Sequence, residues 1–233
     1  MATTDRSQEL VTYRNPKSTI AEAYRSLRTN INFSRLDRNI RTMLVTSSGP
    51  QEGKSTTCSN LAVAMAQAGS SVLLIDADLR LPILHTYFNF NNQFGLTNAL
   101  FDEENFRMYV RSTPIDNLGV LTSGPLPPNP SELLGSKRMA SFLEIAKSKF
   151  DIIIFDSPPI STITDGVVLS SVVDGVILVV HAGGIEKEVV KACKQKLDAV
   201  KANVLGVVLN KVDIEKEKYY YSYYRYYGNH SNG

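Results

Sequence analysis

Residues 42–55 read TMLVTSSGPQEGKS, an apolar run followed by a loop that contains glycine, lysine and serine. The apolar run predicts a buried strand, and the pattern that follows predicts a helix over 54–68. Backbone N–H groups at such a helix N-terminus point at anions, so the loop from Ser48 to Ser55 is predicted to hold phosphate groups. Ser48 occupies the position where the common Walker A pattern has glycine, whereas the Gly-Lys-Ser core of that pattern is intact.

Each residue type in this loop suits one task. Lys54 is predicted to reach the β- and γ-phosphates of a nucleotide, Ser55 to supply a ligand to Mg²⁺, and Gly53 to let the backbone approach the phosphates closely. The loop residues predicted to bind the cofactor are Gly49, Gln51, Glu52, Gly53, Lys54, Ser55 and Thr56.

Short apolar runs alternate with helical periodicity along the rest of the chain, which is typical of a mostly parallel sheet with helices on both faces. Strands are predicted at 42–46, 72–75, 118–121, 152–155, 175–180 and 204–209, and helices at 18–33, 54–68, 131–148, 164–171 and 186–200. The proline-rich stretch 124–130 is predicted to be a loop, with Ser131 as the N-cap of the helix after it. The expected fold is therefore an α/β P-loop NTPase, with one domain over 1–213 and a flexible tail over 214–233.

Acidic residues stand at the ends of two further predicted strands. Asp76 and Asp78 follow the run VLLI, and Asp156 follows the run IIIF. Parallel sheets place their ligands at the carboxyl ends of strands, and Mg²⁺ prefers carboxylate and hydroxyl oxygens. Ser55 and these three aspartates are therefore predicted to provide oxygen ligands for Mg²⁺, although an aspartate after a strand is also a common turn former.

The last predicted strand runs into Asn210-Lys211-Val212-Asp213, which matches the N-K-x-D element by which GTPases read guanine. Other P-loop ATPases place an asparagine after this strand near adenine. Asn210 is therefore predicted to lie near the base, and the choice between ATP and GTP stays open at this point.

Composition excludes several classes of function. The 233 residues carry 25 Lys and Arg against 23 Asp and Glu, so the net charge of +2 gives no electrostatic argument for nucleic acid. Cys58 and Cys193 lack the spacing of a disulfide framework or metal site, which fits a reducing cytoplasm. The sequence contains no run of about 18 apolar residues, so no membrane span is predicted.

With these motifs in place, the chain resembles the bacterial tyrosine kinases, P-loop kinases associated with capsule and exopolysaccharide synthesis. The resemblance covers residues 17–227 and rests on the phosphate-binding loop, the strands LLIDADLR and IIIFDSPP, the loop PPNPSELL at 127–134, and the spacing Glu22-x-x-Arg25-x-x-Arg28. It also rests on a tyrosine-rich tail, YYYSYYRYY, at 219–227. It implies a kinase that uses ATP and Mg²⁺ and regulates polysaccharide synthesis and export.

The resemblance also implies roles for individual residues and partners. Asp76 would be the catalytic carboxylate, assisted by Lys54, while Asp78 and Asp156 support Mg²⁺; how the three aspartates divide these duties stays open. The implied phosphoacceptors are Tyr219, Tyr220, Tyr221, Tyr223, Tyr224, Tyr226 and Tyr227. Glu22, Arg25 and Arg28 would contact a neighbouring subunit in a ring, although a solvated helix face is the simpler interpretation. A transmembrane activator would recruit the cytoplasmic chain to the inner face of the membrane, and a tyrosine phosphatase would act on it.

Two other functions remain open from the residues. One is an ATPase switch of the kind that partitions plasmids or selects division sites, which shares the expected fold. Those ATPases commonly carry lysine directly after the first loop position, where this chain has Gly49. The other is a GTPase, which Asn210 to Asp213 would suit.

Overall fold

A seven-stranded sheet forms the centre of the computed structural model, which describes residues 5–36 and 39–213. The strands are β1 (Thr42–Ser47), β2 (Val72–Asp76), β3 (Arg111–Ser112), β4 (Leu118–Leu121), β5 (Ile152–Asp156), β6 (Gly175–His181) and β7 (Val204–Asn210). Their order across the sheet is β3-β4-β2-β5-β1-β6-β7, and all neighbours are parallel except β3 and β4.

Helices cover both faces of this sheet, as the alternating pattern predicts. They are α1 (Val11–Arg14), α2 (Thr19–Leu36), α3 (Lys54–Gln67), α4 (Leu84–Tyr87), α5 (Leu96–Ala99), α6 (Pro130–Leu134), α7 (Lys137–Lys147), α8 (Asp165–Ser170) and α9 (Lys187–Ala199). On one face α3 buries Leu61 and Met65, and on the other α7 and α9 bury Phe142 and Leu197. The central strands are buried on both sides, which explains why they are continuous apolar runs.

The six strands predicted from the sequence are confirmed, each within one residue at its end. The prediction of one helix over 131–148 is wrong, because the segment divides at Gly135 into α6 and α7. Ser136 caps α7 by accepting a hydrogen bond from the backbone N–H of Met139. The predicted N-cap role of Ser131 is also wrong: α6 begins at Pro130, and the Ser131 hydroxyl bonds to Asp165 instead.

The strand order brings the predicted site together. β1 lies between β5 and β6, and β2 pairs with β5 so that Asp76 stands opposite Asp156 in register. The loop after β1, Asp76 and Asp156 at the ends of β2 and β5, and Asn210 at the end of β7 therefore meet at the carboxyl edge of one sheet. Within 5–36 and 39–213, no helix is long and apolar enough to span a bilayer. The predicted phosphoacceptor tyrosines at 219–227 lie outside the described residues.

Candidate active site

The loop between β1 and α3 has the backbone shape that phosphate binding requires. Gly53 adopts φ +88°, in the left-handed region, and a Cβ built there would lie 2.1 Å from Nδ2 of Asn210. A side chain at this position would therefore meet both backbone strain and a steric clash. Glycine at 53 lets the backbone turn directly into the N-terminus of α3, where N–H groups remain free for an anion.

The carboxylate of Glu52 holds the loop in this shape. It accepts hydrogen bonds from the Ser48 hydroxyl at 2.8 Å and from the Gly49 N–H at 2.9 Å, and it is almost fully buried. The N–H of His181 at the end of β6 also donates to it, at 3.4 Å. Because the carboxylate is engaged inside the loop, any contact of Glu52 with a phosphate comes through its backbone.

Asn210 and Lys211 tie the end of β7 to the same loop. The Asn210 side chain donates to the Glu52 carbonyl oxygen at 2.8 Å, and Lys211 Nζ donates to the Gln51 carbonyl oxygen at 2.8 Å. The two residues therefore support the loop, and the position of Asn210 near the base stays a prediction. Their arrangement leaves the preference between adenine and guanine as a prediction.

Lys54 lies among the predicted aspartates. Its Nζ is 3.4 Å from Oδ2 of Asp78 and 3.4 Å from Oδ1 of Asp156, and it also donates to the Ser55 hydroxyl at 3.2 Å. Burial alone would lower the pKa of Lys54, but the charges of Asp156, Asp78 and Asp76 outweigh burial and raise that pKa. The lysine is thus a permanent cation at the point where phosphate oxygens would enter.

Asp76 is fully buried and holds the loop that follows β2. Its Oδ2 accepts hydrogen bonds from the N–H groups of Ile83 and Leu84, both at 2.9 Å, and its Oδ1 accepts from the N–H of Asp78 at 3.2 Å. Burial, followed by the nearby charge of Asp156, raises the pKa of Asp76 to about 8. A carboxylate whose pKa is raised in this way binds a proton more strongly than a solvent-exposed one.

The residues predicted to hold Mg²⁺ fit that ion. Oδ2 of Asp156 is a buried atom that has no hydrogen-bond partner among the described residues, which is costly unless a ligand or its water occupies the position. Burial raises the pKa of Asp156, and a cation beside it would favour the ionised form. With Ser55 and Asp78 near Lys54, the site offers the oxygen ligands that Mg²⁺ prefers.

The structure adds Glu9 and Tyr87, two residues that the sequence did not indicate. The hydroxyl of Thr56, a predicted cofactor-binding residue, contacts Glu9 Oε2 at 2.9 Å and the Tyr87 hydroxyl at 2.7 Å. Tyr87 also donates to Glu9 Oε2 at 3.0 Å, which closes a triangle behind the first turn of α3. No local pattern could have shown this, since the three residues come from separate segments. A phosphate contact from Thr56 is therefore expected through its N–H group.

The predicted oligomer contacts lie on α2, outside this cluster. Arg25 forms an ion pair with Glu22 at 2.7 Å and also donates to the Pro16 carbonyl oxygen at 2.8 Å. Arg28 donates to the carbonyl oxygen of Ala64 on α3 at 3.0 Å. These contacts tie Arg25 to the segment before α2 and Arg28 to α3 within the same chain, and the use of the three residues between subunits stays a prediction.

The fold and the site together define a P-loop nucleotide-binding protein, and a family model described as an AAA domain matches residues 48–210. The chain is 43% identical to tyrosine-protein kinase YwqD of Bacillus subtilis, over 97% of this chain and 93% of that protein. It is 41% identical to the putative tyrosine-protein kinase CapB of Staphylococcus aureus, over 92% of this chain and 94% of that protein.

Among solved structures, the chimerical protein CapA2B2 matches with a TM-score of 0.84 and 40% identity, covering 88% of this chain and 90% of that one. The chain belongs to the bacterial tyrosine kinases. The predicted family, P-loop fold and enzyme class are thereby confirmed.

Proposed function

We propose that this kinase moves the γ-phosphate of ATP onto the tyrosines at 219–227 of a neighbouring copy, and thereby regulates capsular or exopolysaccharide synthesis and export. The observation that carries the proposal is the cluster at the carboxyl edge of the sheet. There Lys54 lies 3.4 Å from carboxylate oxygens of both Asp78 and Asp156, at the start of the helix that would receive the phosphates.

Positioning and charge neutralisation supply most of the catalysis in phosphoryl transfer. The N–H groups of the loop and of the first turn of α3 bind the phosphates, and Lys54 neutralises charge on the β- and γ-oxygens. When bound, Mg²⁺ adds further neutralisation of the phosphate oxygens; Ser55, Asp78 and Asp156 would hold it. Gly49, Gln51, Glu52 and Gly53 shape the loop around the phosphates.

Asp76 is the proposed catalytic carboxylate. A tyrosine oxygen forms its bond to the γ-phosphorus as the bond from that phosphorus to the β-bridging oxygen breaks, and ADP leaves. The proton of the tyrosine hydroxyl passes to Asp76, whose pKa is raised by burial, so that it binds a proton more strongly than an exposed carboxylate does. The two oxygens of Asp76 accept three backbone N–H bonds, so its position is fixed before the acceptor arrives.

The wider assembly follows from the family. We expect a ring-like homo-oligomer with contacts through Glu22, Arg25 and Arg28, and a transmembrane activator that recruits the cytoplasmic kinase to the inner face of the membrane. Each phosphate on the tail would add about −1.5 to −2 charges, so that phosphorylated tails repel one another and favour disassembly. A tyrosine phosphatase would reverse this change.

Mixing two variants tests transfer between copies. A Lys54→Met chain with all seven tail tyrosines is combined with an active chain whose seven tail tyrosines are Phe. The Lys54→Met chain should gain phosphotyrosine at a rate that rises with protein concentration. No label on this mixture, together with concentration-independent labelling of the parental chain, would show that transfer occurs within one chain.

The same assay separates the other candidate functions when it is run with γ-labelled ATP and GTP, with and without the cytoplasmic segment of a membrane activator. Label on the tail from ATP supports the kinase. Free phosphate without protein label supports an ATPase switch. A strong preference for GTP would assign Asn210 to Asp213 to guanine recognition.

A further inference from the structure

The loop PPNPSELL, which helped to identify the family, has no role in the phosphate site just described. Its Ser131 donates a hydrogen bond to Asp165, the first residue of α8. The same carboxylate accepts two further bonds from the guanidinium of Arg80, from Nε at 2.8 Å and from an Nη at 3.1 Å. One fully buried carboxylate at the start of α8 thus joins α6 to the loop that follows β2, at the carboxyl edge of the sheet.

The loop that follows β2 carries a residue of the proposed site. Arg80 follows Asp78 by two residues, and the N–H groups of Arg80 and Leu81 donate to Oδ1 of Asp78 at 3.4 and 3.0 Å. The other carboxylate oxygen of Asp78 faces Lys54 at 3.4 Å. A continuous set of contacts therefore runs from Ser131 through Asp165, Arg80 and Asp78 to the phosphate-reaching lysine.

The segment that leads into α8 follows β5 and Asp156. A Cβ placed on Gly166, the neighbour of Asp165, would lie 3.2 Å from the Pro158 carbonyl oxygen and 3.3 Å from the Ser157 hydroxyl. The start of α8 is therefore packed closely against the chain that leaves Asp156. A shift of Asp165 would move the surroundings of both Asp78 and Asp156.

We propose that Arg80, Asp165 and Ser131 form a latch, in which Arg80 and Asp165 are positioning residues that orient Asp78 for Mg²⁺. This inference rests on the proposed function, since it needs Asp78 at the metal. The bidentate geometry explains the choice of arginine, because a guanidinium fixes direction through two parallel bonds whereas an ammonium does not. Residues that orient a metal ligand typically change metal affinity or activity about 10- to 100-fold when replaced.

Asp165→Asn is the principal variant. It keeps the size of the side chain and one acceptor oxygen, and it leaves Arg80 at a partly exposed position where water can solvate the charge. Asp198→Asn is the matched control, because Asp198 forms an ion pair with Lys194 between two exposed side chains of α9.

The first measurement is hydrogen exchange of residues 78–84 and 129–135 in the protein without nucleotide. The second is the factor by which Mg²⁺ tightens ADP binding, obtained from ADP affinities with and without Mg²⁺. In Asp165→Asn, exchange in both segments should accelerate and the Mg²⁺ factor should fall about tenfold, with ADP affinity without Mg²⁺ nearly unchanged. Both quantities should keep their parental values in Asp198→Asn.

Parental exchange and a parental Mg²⁺ factor in Asp165→Asn would overturn the latch. If that variant does not fold, Ser131→Ala decides, since it removes only one half-buried hydroxyl; a parental Mg²⁺ factor there overturns the proposal, and a smaller one supports it. Lys54→Met distinguishes a failure of the proposed function from a failure of the latch. Continued tyrosine phosphorylation by Lys54→Met would refute the proposed site itself, whereas loss of phosphorylation there beside normal Asp165→Asn behaviour would refute the latch alone.

Discussion

The carboxylate of Glu52 accepts a 2.9 Å hydrogen bond from the backbone N–H of Gly49, within the loop that both residues help to form. An acidic side chain inside a phosphate-binding loop would repel a phosphate if it faced the ligand. Here its charge is satisfied by donors of the loop and of β6, so it stabilises the loop without meeting the ligand. A substitution at Glu52 can therefore test the role of its carboxylate in the loop without changing its backbone N–H group.

Glu52→Gln should weaken nucleotide binding about tenfold, because the amide group of Gln presents N–H donors to a position surrounded by donors. Isothermal titration with ADP and Mg²⁺ measures the effect. Glu188→Gln, which changes an exposed glutamate at the start of α9, serves as control and should bind as the parent does. Equal affinities of the two variants would show that the loop keeps its shape without the Glu52 carboxylate.

Asp76→Asn should abolish tyrosine phosphorylation while it leaves substantial nucleotide binding, since the amide cannot accept the proton of the acceptor. Asp156→Ala should instead reduce mainly the gain in ADP affinity that Mg²⁺ provides, because it removes a metal ligand. Phosphate transfer and ADP affinity are measured in parallel for both variants. Parental phosphorylation by Asp76→Asn would exclude Asp76 as the base.

Tyr87→Phe should change how stability depends on alkaline pH. Burial raises the pKa of Tyr87 to about 12, against about 10 for an unperturbed tyrosine. The folded state holds this proton more tightly than the unfolded state. Tyr87 therefore contributes stability that is fully present below pH about 10 and is lost as the pH rises towards about 12.

Denaturant unfolding at several pH values measures this dependence. Between pH 10 and 12 (a window of roughly two units), the free energy of unfolding should fall more steeply for the parent than for Tyr87→Phe. Tyr13→Phe removes a hydroxyl from an exposed ring and is the control. Identical slopes for the parent and Tyr87→Phe would contradict the buried triangle of Glu9, Thr56 and Tyr87.

Replacing Glu22, Arg25 and Arg28 with Ala should lower the mass of the assembly seen by light scattering. The exposed side chains of Ile20 and Phe33 on α2 support an interface there, with exposed fractions of 56% and 64%. Glu144→Ala with Lys147→Ala is the control, since it removes a comparable i, i+3 ion pair from α7. An unchanged mass would indicate that Glu22, Arg25 and Arg28 belong to a solvated helix face and not to a subunit contact.

By itself, the sequence determined the order in which the strands and the functional residues at their ends follow one another along the chain. Four apolar runs could be identified, those that end at the phosphate-binding loop, Asp76, Asp156 and Asn210. A strand that is buried on both faces requires uninterrupted apolar residues, so polar residues begin only where such a strand ends. The family, which the comparisons confirm, and the main candidate site residues were predicted from the same local patterns. The break at Gly135 was missed, since a helical period continues across it and only the Ser136 cap distinguishes two helices.

Only the tertiary structure decided which way the side chains of the site turn. Glu52 faces the loop instead of the phosphates, and Thr56 faces Glu9 and Tyr87, because their partners come from segments up to 129 residues apart in the chain. Asp165 looks in the sequence like an ordinary first-turn acid of a short helix, yet it joins Arg80 to Ser131. Hydrogen bonds of this kind depend on the distance between strand ends in the folded sheet, which no local pattern records.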